Sequence, residues 1–127
     1  MIEQSQIKLQ PDFHVGNMAT DLVEVTLQMC SKYEDHPPRF PKRMYDSYVT
    51  QIVKLSLDIH QNICEANSIK NSKSKREELQ YLALGECSSM EKLVHIALKR
   101  GWISEKQHTR WQRKICDLHF KILRWIE

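Results

Sequence analysis

Glycine and proline are scarce in this chain, with three and four copies among 127 residues. Both residues interrupt helices, so their scarcity favours a helical protein, as do the frequent leucine, isoleucine, lysine, glutamate and glutamine. No apolar run approaches the roughly 20 residues that a membrane-spanning helix needs. At this length we expect one domain with a buried core.

The beginning of the chain lacks the pattern of a secretory signal, which has basic residues followed by an apolar run. Residues 1–11 are mainly polar, and Glu3 lies close behind Met1. The four cysteines are scattered and form no C-x-x-C pair: Cys30, Cys64, Cys87 and Cys116. We therefore expect a cytoplasmic protein whose cysteines are small buried hydrophobic residues rather than disulfide partners.

Apolar spacing divides the chain into a flexible N-terminal arm, residues 1–11, and four helices within residues 12–127. The first helix is expected to start between residues 12 and 20 and to end at Lys32 or Tyr33. Apolar residues that recur every three or four positions give each helix one face for a common core.

Three prolines in residues 34–41 prevent the first helix from continuing and predict a loop. Phe40 in this loop is expected to pack under the second helix, residues 42–67. Ser74 stands three positions before Glu77, which predicts a capping box at the start of the third helix. The expected buried residues of the third helix are Leu79, Leu82, Ala83, Met90, Leu93, Val94 and Ala97.

The third helix is expected to end at Lys99 and Arg100, with Gly101 just beyond. Ser104 and Gln107 form a second capping-box pattern, which opens a fourth helix from Glu105 to about Ile126. The connections between the helices are short, so consecutive helices should be antiparallel neighbours. The sequence therefore predicts an all-α fold, an up-down-up-down antiparallel four-helix bundle.

The fourth helix carries two apolar stripes. The first is expected to face the core and consists of Trp111, Ile115, Leu118, Ile122 and Trp125. The second lies a third to a half of the circumference away at about 100° per residue and consists of Cys116, Phe120, Leu123 and, more loosely, Ile126. Two stripes imply burial on two sides, so we predict a subunit interface through Cys116, Phe120 and Leu123. A helix sunk deep in its own bundle is the alternative.

The remaining sector of the fourth helix is basic and holds Arg110, Arg113, Lys114, Lys121 and Arg124 together with Asp117. Such a stripe is either a solvated face or a surface that binds phosphates. A basic turn before the third helix, with Lys73, Lys75 and Arg76, would support the second reading. Trp102, Trp111 and Trp125 can stack on bases, although tryptophans at helical spacing more often belong to a core or an interface.

Motifs for catalysis are missing: there is no glycine-rich phosphate loop and no G-x-S-x-G. A di-iron bundle needs the Glu-x-x-His pattern twice, and only Glu105 and His108 match it. Two pairs at helical spacing, His60 with Cys64 and Cys116 with His119, can in principle hold zinc, but chance packing of one cysteine on each helix explains them better. We expect no enzyme, no cofactor and no metal.

Several segments resemble a known superfamily of four-helix bundles. They are residues 40–43 (FPKR), 51–52 (QI), 62–67 (NICEAN), 75–80 (KREELQ), 97–107 (ALKRGWISEKQ) and 125–126 (WI). The superfamily contains proteins encoded in ribosomal-RNA intervening sequences and the accessory variability determinant (Avd) of diversity-generating retroelements. The resemblance covers about residues 12–127, which is nearly the whole chain. Residues 76–80, residues 101–107 and the last tryptophan are more similar to Avd.

The resemblance to Avd implies a homopentameric, barrel-like assembly with a basic surface. It implies a non-enzymatic protein that binds the reverse transcriptase and the RNA of its element and supports error-prone cDNA synthesis. On that basis we expect the basic residues of the fourth helix, with Lys73, Lys75 and Arg76, to bind RNA. The alternative is an oligomeric interaction bundle of the intervening-sequence type without a nucleic-acid role.

Overall fold

The computed structural model describes residues 13–31 and 38–126. Four α-helices run through this part of the chain: α1 His14–Met29, α2 Thr50–Ser68, α3 Lys73–Lys99 and α4 Glu105–Ile126. Each helix packs against the next, and α4 packs against α1 to close the square. The predicted all-α, up-down-up-down four-helix bundle is confirmed.

The predicted N-terminal arm and most of the loop after α1 lie outside the described residues. Helix α1 ends at Met29, earlier than the predicted Lys32 or Tyr33. Phe40 is 2% exposed, and its ring lies 5.7 Å from that of Trp102 and 6.2 Å from that of Tyr48. The prediction that Phe40 packs under the second helix is therefore confirmed.

The entry to α2 is irregular, although the sequence predicts one continuous helix from residue 42. A 3-10 turn, Lys42–Met44, leads into a π-helical turn, Tyr45–Val49. The carbonyl of Tyr45 accepts hydrogen bonds from both the backbone N–H and the hydroxyl of Thr50. Thr50 therefore donates both hydrogen bonds that hold the π-helical turn, and regular α-helix begins at this residue.

The start of α3 differs from the predicted Ser74–Glu77 capping box. The N-cap is Ser72, whose backbone is extended and whose hydroxyl accepts a hydrogen bond from the N–H of Lys75 at 3.2 Å. Ser74 is the second residue of α3, so it lies inside the helix and cannot be its N-cap. The prediction of Ser74 as the cap is wrong because Ser72 satisfies the exposed helix N–H groups first.

The turn between α3 and α4 follows the predicted signals. Gly101 has a φ of 78°, and the N–H of Trp102 donates to the carbonyl of Ala97. At the start of α4 the hydroxyl of Ser104 accepts from the N–H of Gln107 at 3.1 Å, while the Gln107 side chain accepts from the N–H of Ser104 at 2.7 Å. A left-handed glycine ends α3, and a reciprocal capping box begins α4.

The core contains four of the five residues predicted for the first stripe of α4, all at most 1% exposed: Trp111, Ile115, Leu118 and Ile122. The fifth, Trp125, is partly buried against the ring of Phe13 at 5.8 Å. The indole N–H of Trp111 donates to the hydroxyl of Thr26 at 3.1 Å, inside the core. Hydrophobic packing and one buried hydrogen bond therefore hold α4 against α1.

Among the helices in the described ranges, none combines the length and the apolar character that a bilayer crossing requires.

The identification of Ser72, rather than Ser74, as the N-cap of α3 can be tested by substitution. Replacing Ser72 with Ala should lower the free energy of unfolding by about 1 kcal/mol, because an N–H at the start of α3 loses its acceptor. Replacing Ser74 with Ala is the matched control and should change stability by less than about 0.5 kcal/mol. Urea unfolding followed by circular dichroism measures both. Equal effects, or a larger loss for Ser74, would contradict Ser72 as the cap.

Candidate nucleic-acid interface

The side of α4 that is turned away from the core is exposed and carries a net positive charge. We define the α4 outer face as Arg113, Asp117, Phe120 and Arg124, all of which are exposed. At 100° per residue these positions lie within about 60° of one another around the helix. The buried stripe of Trp111 lies on the opposite side, so the outer face points to solvent.

Two of the predicted basic residues of α4 are turned towards α1. Arg110 donates a hydrogen bond to the side-chain oxygen of Gln28 at 3.2 Å. The ammonium of Lys114 lies 3.8 Å from a carboxylate oxygen of Asp21. Both contacts are partly or largely exposed and contribute little to stability. They do orient these two side chains towards α1 and away from the outer face.

The other three cations of the stripe are Arg113, Lys121 and Arg124. None of them has a hydrogen bond or an ion pair with any residue in the described ranges. An unpaired surface cation is free to bind an incoming anion without first giving up a partner. The structure therefore divides the predicted stripe into two engaged cations and three available ones.

The basic turn before α3 is divided in the same way. The ammonium of Lys73 lies 4.0 Å from Glu77, and the guanidinium of Arg76 donates to the carbonyl of Ile69 at 3.3 Å. Lys75 is exposed and has no side-chain partner among the described residues. Because α3 begins at the end of the bundle where α4 finishes, Lys75 shares that end with Lys121 and Arg124.

The predicted interface stripe is also divided. The thiol of Cys116 is turned to α3 and donates to a carboxylate oxygen of Glu91 at 3.0 Å. By contrast, Phe120 is 65% exposed and Leu123 is 38% exposed. The alternative of a helix sunk in its own bundle is therefore wrong for these two residues, and the subunit interface stays a prediction.

Burial and hydrogen bonding decide the state of the cysteines. Burial raises the pKa of Cys30 and of Cys87 to about 12. Desolvation, followed by the hydrogen bond to Glu91, raises the pKa of Cys116 to about 11. Near pH 7 these three thiols stay protonated, and a protonated thiol is a poor nucleophile. The predicted burial is confirmed for Cys30 and Cys87 and is wrong for Cys64, which is exposed.

The two pairs considered for zinc do not meet. His60 contacts the thiol of Cys64 at 3.9 Å and the hydroxyl of Thr20 on α1 at 3.1 Å. Cys116 bonds to α3 instead, on the other side of the bundle. No cluster of three or more histidine, cysteine, aspartate or glutamate side chains suited to a metal occurs in residues 13–31 and 38–126.

The tryptophans belong to the interior rather than to a stacking surface. Trp111 is fully buried, and Trp102 is 9% exposed. The guanidinium of Arg100 lies 5.5 Å from the centre of the Trp102 ring and makes a cation–π contact with it. The interpretation of these two residues as core is confirmed, and the exposed aromatic side chain of α4 is Phe120.

No protein-family model matches the chain, and a search of curated proteins finds no match. The functional case therefore rests on the geometry of the α4 outer face and on the chemistry of its side chains.

Proposed function

We propose that this chain is a non-enzymatic accessory protein of a diversity-generating retroelement. It binds the RNA and the reverse transcriptase of the element and supports mutagenic cDNA synthesis. RNA binding is supported by three cations on one side of α4 that have no partner in the described ranges: Arg113, Lys121 and Arg124. The resemblance to Avd supports the choice of element and of partner.

RNA binding depends on where the positive charges lie rather than on the net charge of the chain. The net charge is only +3, so the chain as a whole attracts a polyanion weakly. The three available cations, however, lie on one helix and are followed at the same end of the bundle by Lys75. Each phosphate that they neutralise releases a condensed counterion, so affinity accumulates and falls with added salt.

Homo-oligomerisation belongs to the same proposal. The resemblance implies a pentamer, and Leu123 is an exposed apolar side chain on the part of α4 nearest α3. A ring of copies would repeat the available cations around its surface. Several weak phosphate sites joined in one particle bind a long RNA far more tightly than one site does.

The second candidate is an oligomeric interaction bundle of the intervening-sequence type without a nucleic-acid role. Exposed apolar side chains away from the cations, such as Leu82 at 52% exposure, favour protein contacts in general. Binding to structured RNA separates the candidates. At about 150 mM salt the Debye length is about 8 Å, so retention of RNA there indicates direct contacts rather than long-range attraction.

The cation assignment predicts the effect of a triple substitution. Replacing Arg113, Lys121 and Arg124 with Gln should lower the slope of log affinity against log salt by about 2, from about 0.7 for each lost contact to single-stranded RNA. The matched control replaces Lys42, Lys92 and Lys99, which are exposed on other elements, and removes the same net charge. Filter binding across a salt series measures both. Equal slopes for the two triple variants would contradict the assignment.

The partner assignment predicts a neighbouring gene. The genome that encodes this chain should carry a reverse transcriptase gene and a template repeat beside it, and the two proteins should co-purify after co-expression. Co-purification should survive nuclease treatment, since it depends on protein contacts. A neighbourhood without a reverse transcriptase would remove the retroelement from the proposal and leave RNA binding to be judged alone.

The oligomer makes a separate prediction. Replacing Leu123 with Glu should give a smaller species by light scattering, because a buried carboxylate in an interface costs more than the contact gains. Leu57 on α2 is 50% exposed, and its replacement with Glu is the control that should leave the mass unchanged. A wild-type chain that is already monomeric would exclude the interface.

A further inference from the structure

An exposed phenylalanine lies in the middle of the basic part of α4. Phe120 is 65% exposed, more than any other large hydrophobic side chain in the described ranges. The ring of His119 lies nearly perpendicular to it with centroids 6.2 Å apart, so the ring is supported at one side and open elsewhere. Leaving so much aromatic surface in water forgoes the stabilisation that burial would give.

On the same face Asp117 precedes Phe120 by three residues, and two arginines that have no partner in the described ranges lie on either side of these two residues. Arg113 precedes Phe120 by seven residues and Arg124 follows it by four, so they lie about 10 Å and 6 Å away along the helix axis. All three positions fall within about 40° around the helix. In chain order the face carries Arg113, Asp117, Phe120 and Arg124, so the exposed ring lies between two arginines, which attract phosphate and outnumber the one carboxylate.

We propose that Phe120 is a stacking platform for an unpaired base of single-stranded RNA, whose backbone phosphates bind Arg113 and Arg124. This inference rests on the proposed RNA-binding function and names the class of RNA. Stacking on an aromatic ring tolerates any base, because every base has a flat π-face. The site binds single strands with little sequence preference.

Duplex RNA does not fit this face. The bases of a duplex are stacked on each other inside the helix, and the deep, narrow major groove of A-form RNA excludes side chains. A ring on the convex surface of α4 can meet a duplex at its backbone or at the base edges in the shallow minor groove, and it gains no stacking at either. Arginine contacts to phosphate are available to both forms, so Phe120 is the residue that distinguishes them.

A second copy of the chain is the competing occupant of this face, and its charges argue against it. A two-fold contact through Phe120 would bury Arg113 and Arg124 of both copies in one interface. Asp117 offers one carboxylate on the outer face against those two cations. Burying charges that remain unpaired is costly, whereas a phosphate backbone neutralises them.

The test compares two substitutions of Phe120 that differ in the shape of the new side chain. Phe120→Leu keeps an apolar side chain but removes the flat ring, and Phe120→Trp enlarges the ring. A fluorescent oligouridylate and a duplex RNA of equal length serve as probes. Affinity of Phe120→Leu for the oligouridylate should fall about fivefold or more, while Phe120→Trp should bind at least as tightly as wild type. Duplex affinity should change less than twofold in both.

Tyr81 on α3 provides the matched control, because it is 57% exposed and lies on another helix. Tyr81→Leu should bind the oligouridylate like wild type. If Phe120→Leu binds the oligouridylate like wild type, or loses single-strand and duplex affinity equally, stacking is overturned while RNA binding stands. A drop in mass by light scattering for Phe120→Leu assigns the face to a second copy and also overturns stacking. If wild type binds neither probe, the RNA function fails, and this inference fails with it.

Discussion

The buried stripe of α4, together with the hydrogen bond from the indole N–H of Trp111 to the hydroxyl of Thr26, sets the rotation of this helix about its own axis. Both groups are fully buried, so turning the helix would leave a donor and an acceptor without partners, at a cost of about 1–3 kcal/mol. With Trp111 held inward, the residues half a turn away must face solvent. The position of Arg113, Phe120 and Arg124 on the outside is therefore a consequence of how the opposite side of α4 is buried in the core.

The helices and their ends could largely be predicted from the sequence, because local chemistry decides them. Ser104 and Gln107 are three residues apart and satisfy each other's backbone groups, so the start of α4 follows from the pattern alone. Ser72 caps α3 instead of Ser74 because the first available serine in an extended conformation accepts the helix N–H, whether or not a glutamate follows. Competing caps two residues apart are decided by backbone conformation, which the pattern does not contain.

The candidate site was only half predictable. The angle between the stripes of α4 follows from helical spacing, so the sequence is enough to predict that the basic sector lies away from the core. The partners of Arg110 and Lys114 lie on α1, 82 and 93 residues earlier in the chain, and helical spacing does not reveal them. On α3 the same limit applies: Leu82, predicted to be buried, is 52% exposed, while Gln80 is buried at 1%. Pairing and burial between helices depend on packing that no single helix reveals.

The division into engaged and available cations offers a reason why a chain with a modest net charge could bind RNA. Lys114 and Lys73 each have a carboxylate oxygen within 4.0 Å, whereas no carboxylate of the described residues lies that close to Arg113, Lys121 or Arg124. A surface that pairs some cations and leaves others free concentrates its attraction where the free ones lie. Three such contacts give weak, salt-sensitive binding for one copy, and multiplication by an oligomer would raise it through effective concentration. On this reasoning RNA affinity depends on assembly, and a variant that stays monomeric should keep only the weak, salt-sensitive binding of one copy.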